Sequence, residues 1–137
     1  MPDDTPVRET RVALTVQDYD AAVRFYRDAL GLPVMEEWDE EWGRGIVLEA
    51  GSATIEVIST AQAEFVERVE AGGALPDRVR LALAVDDSVA TAEALESAGA
   101  ERLGGPVVTP WFHRNVRVRT PDGLQLTLFT AIEPQDG

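Results

Sequence analysis

The chain has 137 residues, 45% of them hydrophobic, with 25 acidic against 12 basic residues and a net charge of −13. That length and apolar content suit one domain with a real core and exclude a disordered chain. The acid excess argues against a phosphate-binding surface and predicts no nucleic-acid partner.

The start, Met1 to Pro6, is acidic and polar, unlike a secretory signal. No apolar run reaches the roughly 18–20 residues of a membrane helix, so a cytoplasmic protein with no membrane partner is expected. From Arg11 to Asp18 apolar residues alternate with small or polar ones, the period of a strand. A helix is expected over about Asp20 to Leu30, with Ala22, Val23, Phe25, Tyr26 and Leu30 on one side and Gly31 closing it. An extended piece follows around Val34 to Trp38, then a hairpin of Ile46–Glu49 and Thr54–Ile58 turning at Gly51-Ser52. A short helix of about residues 61–71 ends at Gly72-Gly73, and Pro76 breaks the chain.

The pattern then starts again. Arg80 to Asp87 repeats Arg11 to Asp18 at an offset of 69. A helix over about Val89 to Ala98 directs Ala92 and Leu95 inward and closes at Gly99; an extended piece covers Arg102 to Val107. The hairpin Val116–Arg119 and Gln125–Phe129 turns at Pro121-Asp122-Gly123. Asp18, Asp86 and Asp87 stand at strand-to-helix junctions as helix caps. The whole chain, 1–137, therefore reads as a single domain: a first module of about 10–59, the linker helix of about 61–71 and a second module of about 79–131. Each module is strand–helix–strand–strand–strand, and neither could bury its sheet alone.

The run Phe25-Tyr26-Arg27-Asp28-Ala29-Leu30-Gly31-Leu32 after the first strand, with Ala84-Val85-Asp86-Asp87 and Thr120-Pro121-Asp122-Gly123 in the second half, resembles the glyoxalase / bleomycin resistance / extradiol dioxygenase (vicinal oxygen chelate) superfamily. The resemblance spans about residues 10–131. It implies an α+β fold of two βαβββ modules whose mixed sheet curves into a cup, with the site inside, and a homodimer.

Strand alternation then assigns the two sheet faces. Val12, Leu14, Val16, Leu81, Leu83, Val85, Ile55, Val57, Leu126 and Leu128 should pack on the helices. Arg11, Ala13, Thr15, Arg80, Ala82, Ala84, Thr54, Glu56, Ile58, Gln125, Thr127 and Phe129 should face the other way, toward a ligand cavity or a solvated sheet face. The ligand positions of metal-dependent relatives fall on Arg11, Glu56, Arg80 and Thr127. Arginine only donates hydrogen bonds and cannot coordinate a cation, so no metal and no other cofactor is expected, and Arg11 or Arg80 should bridge Glu56.

Glu36-Glu37-Trp38-Asp39-Glu40-Glu41-Trp42 packs five acids and two indoles into seven residues. Glu36 and Trp38 share one strand face. The stretch suits a planar or cationic ligand, or a solvated hairpin whose indoles shield an edge. Trp111-Phe112-His113-Arg114 occupies the matching region of the second half. His113 could be a general base, a ligand-orienting group or an exposed loop residue, and Tyr26 reads as packing. The ligand-binding candidates are thus Arg11, Trp38, Glu56, Arg80, Trp111, His113 and Thr127, with Glu56 and His113 the candidate catalytic groups. The leading expectation is a metal-independent binder that sequesters a cationic aromatic antibiotic or natural product. The alternative is a lyase, isomerase or biosynthetic enzyme acting on an anionic or enolisable molecule. A third is a partner-binding module with a closed cup.

Overall fold

The structure, a computed structural model, describes residues 6–72 and 77–133. The polar stretch Met1–Thr5 and the chain break expected at Gly73 and Pro76 lie outside them. The elements are β1 (Val7–Val16), α1 (Tyr19–Val23) running into a π-helical turn (Arg24–Ala29), β2 (Val34–Glu40), β3 (Gly43–Ala50), β4 (Ala53–Ser59), α2 (Thr60–Ala71), β5 (Val79–Val85), α3 (Ser88–Ser97), β6 (Glu101–Val108), β7 (His113–Arg119) and β8 (Gln125–Ala131). No helix among the described residues is long and apolar enough to cross a membrane.

All eight strands form one sheet in the order β2-β3-β4-β1-β5-β8-β7-β6. Each half closes with a parallel pair, β1 with β4 and β5 with β8, and the halves meet in the antiparallel pair β1–β5. The repeat is thus expressed as a mixed α+β sheet with the modules paired inside one chain. At the seam Arg11 lies opposite Ala82 and Ala13 opposite Arg80. Each long arginine faces an alanine, which leaves room for a guanidinium on the inner face.

The alternation sorts the faces as the strand period requires. On the helix side, Tyr19, Val23, Ile46, Leu48 and Val57 form one core cluster, and Val85, Ala92, Val116, Val118 and Leu128 form another. Fully burying a side chain such as Leu48 contributes about 1.5–3 kcal/mol. The helix starts are capped where expected: Asp18 Oδ1 accepts from Ala21 N and Asp87 Oδ1 from Ala90 N, each at 3.0 Å. Asp86 departs from the expectation and pairs with Arg8 on the surface instead.

The first helix also departs from a uniform α-helix. From Arg24 it widens to i→i+5 bonding, with Leu30 N donating to the Phe25 carbonyl at 2.9 Å. The wider turn shifts the angular spacing of side chains. Val23, Ala22 and Tyr26 still reach the core, while Phe25 and Leu30, expected inward, are 60% and 57% exposed.

The linker helix does more than connect. α2 lies across the inner face of the sheet, touching strands of both modules. Ser59 caps it, accepting from Gln62 N at 3.2 Å, and Gly72 ends it in the left-handed conformation. Gly104 of β6 lets it settle, since a Cβ there would collide with the backbone of Glu70.

Candidate functional site

The inner face, with α2 along it, encloses a cavity of about 330 Å³. Its floor comes from the central strands: Arg11 on β1, Glu56 and Ile58 on β4, Arg80 and Ala82 on β5, Thr127 and Phe129 on β8, and Asn115 on β7. Gln62, Val66 and Glu70 of α2 form one wall, and Glu36, Trp38, Glu40, Trp42, Trp111 and His113 complete the lining. The structure therefore brings every sequence-predicted site residue, Arg11, Trp38, Glu56, Arg80, Trp111, His113 and Thr127, onto one cavity.

Of the two arginines, Arg11 is the one that reaches Glu56. Its Nη1 lies 3.6 Å from Glu56 Oε2, while its Nε donates to Glu9 Oε2 at 2.7 Å. Arg80 goes elsewhere: its Nη1 donates to Thr127 Oγ1 at 2.8 Å. Burial raises the Glu56 carboxyl above its ordinary value, a shift that Arg80 and Arg11 oppose. Burial also lowers the Arg80 guanidinium, as does the neighbouring Arg117.

Beneath the cavity lies a charge network that the sequence reading did not anticipate. Arg117 of β7 is fully buried. Its Nη1 donates to both oxygens of Glu67 at 2.8 and 2.9 Å and to Gln125 Oε1 at 2.8 Å; its Nη2 donates to Glu70 Oε1 at 2.7 Å, and its Nε to Thr127 Oγ1 at 3.0 Å. Asn115 Nδ2 donates to the other Glu70 oxygen at 2.8 Å. Burial lowers the Arg117 guanidinium, but Glu70 and Glu67 outweigh it and hold the group above its ordinary value. The signal was present in the sequence. Val116 and Val118 pack on the helix side, so Asn115 and Arg117 must face inward. Glu67 and Glu70, three apart, share a face of α2.

The mouth is aromatic and acidic. Glu36, Trp38 and Glu40 alternate on β2, so all three point inward. The Trp38 indole lies over Gly45 of β3, where a Cβ would collide with its ring, and its Nε1 donates to Gln62 Oε1 at 2.9 Å. Trp42 stacks on Phe65 of α2 with centroids 5.5 Å apart, and Trp111 meets the same ring at 6.4 Å. Phe65 thus joins an indole from each module. His113 stacks on Phe129 at 4.8 Å, and the Arg11 guanidinium lies 5.3 Å from the same ring's centre. Burial, with Arg11 second, lowers the His113 imidazole. The ring is part of the cavity wall and not an exposed loop group.

Two βαβββ modules sharing one sheet around an inner cavity define a paired-module α+β protein. Residues 10–128 match the Glyoxalase/Bleomycin resistance protein/Dioxygenase superfamily, and the chain belongs to it. Among solved structures, methylmalonyl-CoA epimerase from Mycobacterium tuberculosis is similar at 20% identity, covering 95% of this chain and 92% of that one, with a TM-score of 0.65. A hypothetical protein from Bacillus halodurans C-125 is similar at 15% identity, covering 93% and 96%, with a TM-score of 0.65. Streptomyces coelicolor methylmalonyl-CoA epimerase in complex with 2-nitronate-propionyl-CoA is similar at 19% identity, covering 97% and 100%, with a TM-score of 0.64. At these identities the likeness is one of fold. No curated protein matches the chain.

The positions that carry metal ligands in some superfamily members do not fit a metal ion here. Of Arg11, Glu56, Arg80 and Thr127, one is a carboxylate and two are guanidiniums. The Thr127 oxygen accepts from both Arg80 and Arg117 and donates to Glu70. Its lone pairs are taken, and a divalent ion there would meet donors with positive charge. Among the described residues no cluster of three or more His, Asp or Glu side chains is arranged to hold a metal.

Proposed function

We propose that the chain binds a planar organic cation in the cup without a metal ion, sequestering it and not transforming it. The observation that carries this reading is the cavity lining. All three tryptophans of the chain, Trp38, Trp42 and Trp111, border one cavity together with Glu36 and Glu40. Indole faces attract a desolvated cation by about 2 kcal/mol, and stacking adds on the order of 1 kcal/mol beyond area burial. Free carboxylates at the mouth draw cations in from a distance. A cationic aromatic antibiotic or natural product has the required chemistry. Because every tryptophan borders the site, intrinsic fluorescence reports directly on it. Titration with planar aromatic cations should give saturable emission changes and raise the melting temperature, and Trp42→Ala or Trp111→Ala should weaken binding several-fold. If such cations leave emission and melting unchanged while small carboxylates raise the melting temperature, this reading fails.

One observation favours a second reading, an isomerase or lyase acting on an anionic or enolisable molecule. Glu56 borders the cavity with a raised pKa and one long contact to Arg11, as suits a general base. Arg11 and Arg80 would then stabilise the resulting oxyanion. Deuterium exchange at an acidic C–H of a bound carbonyl compound, lost in Glu56→Gln, separates this reading from the first.

We also propose a homodimer. The outer strands β2 and β6 leave backbone edges open, with Val34, Met35 and Val108 exposed on them. Sedimentation at micromolar concentration should give twice the chain mass; a single chain's mass would contradict it.

A further inference from the structure

The two ends of the cavity offer different groups: unused guanidinium N–H donors of Arg80 at the floor and, at the rim, carboxylates of Glu36 and Glu40 that are unpaired among the described residues. This deepens the cation-binding reading above, and rests on it. At the floor, the carboxylates are claimed by other arginines: Glu67 and Glu70 by Arg117, Glu9 and Glu56 by Arg11. Arg80 is 8% exposed and borders the cavity, yet makes no ion pair with any described residue. Of its five N–H donors, the hydrogen bond to Thr127 uses one. Glu70, Glu56 and Glu67 offset part of its charge from a distance, but none is in contact with it, and the group best suited to its unused donors is a planar carboxylate taken in a two-pronged contact. At the rim, Glu36 and Glu40 lie on the exposed strand β2 beside Trp38 and make no ion pair with any described residue.

We infer that the ligand is amphoteric: a planar molecule that enters carboxylate first, lays that carboxylate against Arg80, and leaves its cationic nitrogen at the rim between the indoles and Glu36 and Glu40. The charges that oppose the carboxylate are Glu56 and Glu70. Both are engaged, by Arg11 and Arg117 respectively, and burial raises the Glu56 carboxyl above its ordinary value. A simple cation uses only the rim. A simple acid meets the field of a chain with net charge −13 before it reaches Arg80. A molecule with both groups, held apart by an aromatic spacer, satisfies both ends of the cavity.

The test is calorimetry on the full chain with a matched set of probes: benzylamine, benzoate and para-aminomethylbenzoate, with biphenyl counterparts for a longer span. The amphoteric member of one set should bind at least tenfold more tightly than its amine, and benzoate least of the three. Arg80→Gln should bring the ratio of amphoteric to amine affinity close to one. The comparison among probes on the unaltered protein stands by itself if that variant does not fold. If the amines bind and the added carboxylate brings no gain, the amphoteric assignment is wrong and the cation-binding reading survives. If only the benzoates bind, the cation-binding reading falls and takes this inference with it.

Discussion

Arg117 and Glu70 face each other across the interface between the sheet and α2, with Nη2 of the arginine donating to Oε1 of the glutamate at 2.7 Å. Neither side chain touches solvent appreciably. The contact joins the second module to the helix that links it to the first, and so fixes the wall of the cavity to its floor.

Breaking this pair should be costly. Glu70→Ala leaves the Arg117 charge short of a partner and strips Asn115 and Thr127 of an acceptor. The expected loss is about 3–5 kcal/mol, read as a fall in the urea midpoint. Asp28→Ala removes a surface pair with Arg27 and should leave the midpoint nearly unchanged. Equal effects would mean that the buried network does not hold α2.

Gly45→Ala should damage the mouth without touching a charged group. The new methyl would displace the Trp38 ring and break its bond to Gln62. Overpacking of this kind costs about 1–3 kcal/mol. A red shift of tryptophan emission together with weaker ligand binding is the expected signature. Unchanged emission would show that the indole has room to move aside.

The single histidine makes its titration simple to follow. Burial, then Arg11, disfavours the imidazolium, so His113 should titrate below its ordinary 6.5. The unfolded chain then takes up the proton at a higher pH than the folded one. The stabilisation is present above 6.5 and is lost as pH falls from there through the folded value. Proton NMR of the imidazole ring gives the midpoint directly, and a midpoint above 6.5 would contradict the placement of the ring beside Arg11.

Glu56 carries the opposite sign. Its folded pKa lies above the ordinary 4.5, so between those values the folded chain holds a proton that the unfolded chain has released. Stability therefore falls as pH rises through that window, and the penalty persists above it. Glu56→Gln should match or exceed the stability of the unaltered chain at about pH 7, with the advantage shrinking below about pH 4. Urea unfolding at both pH values checks this. A variant less stable at neutral pH would show that the Arg11–Glu56 pair outweighs burial.

Divalent ions give a further check. Zinc, manganese, nickel or iron(II) should produce no saturable rise in melting temperature, and mild purification should retain less than one metal per chain. A full equivalent lost on Glu56→Ala would overturn the donor argument drawn from Thr127 and the two arginines.

The repeat, the strand faces and most of the cavity floor were legible in the residues alone. A strand's side chains alternate with period two whatever the strand pairs with, so Arg11, Glu56, Arg80 and Thr127 could be assigned to one face before any contact was known, and Trp38 to the same face of β2 as Glu36. Local chemistry likewise announced the caps at Asp18 and Asp87 and the turn at Gly72. Tertiary structure alone decided which charges meet. The helical pattern of α2 did not say that it would lie inside the cup, because a helix's own residues do not specify which surface receives it. Once there, Glu67 and Glu70 captured Arg117, and Arg11 captured Glu56. Arg80 was left facing the cavity with Thr127. The widening of the first helix at Arg24, which turned Phe25 and Leu30 outward, was hidden for the same reason. A single extra residue in a turn is settled by how the helix seats on the sheet, not by the apolar spacing along it.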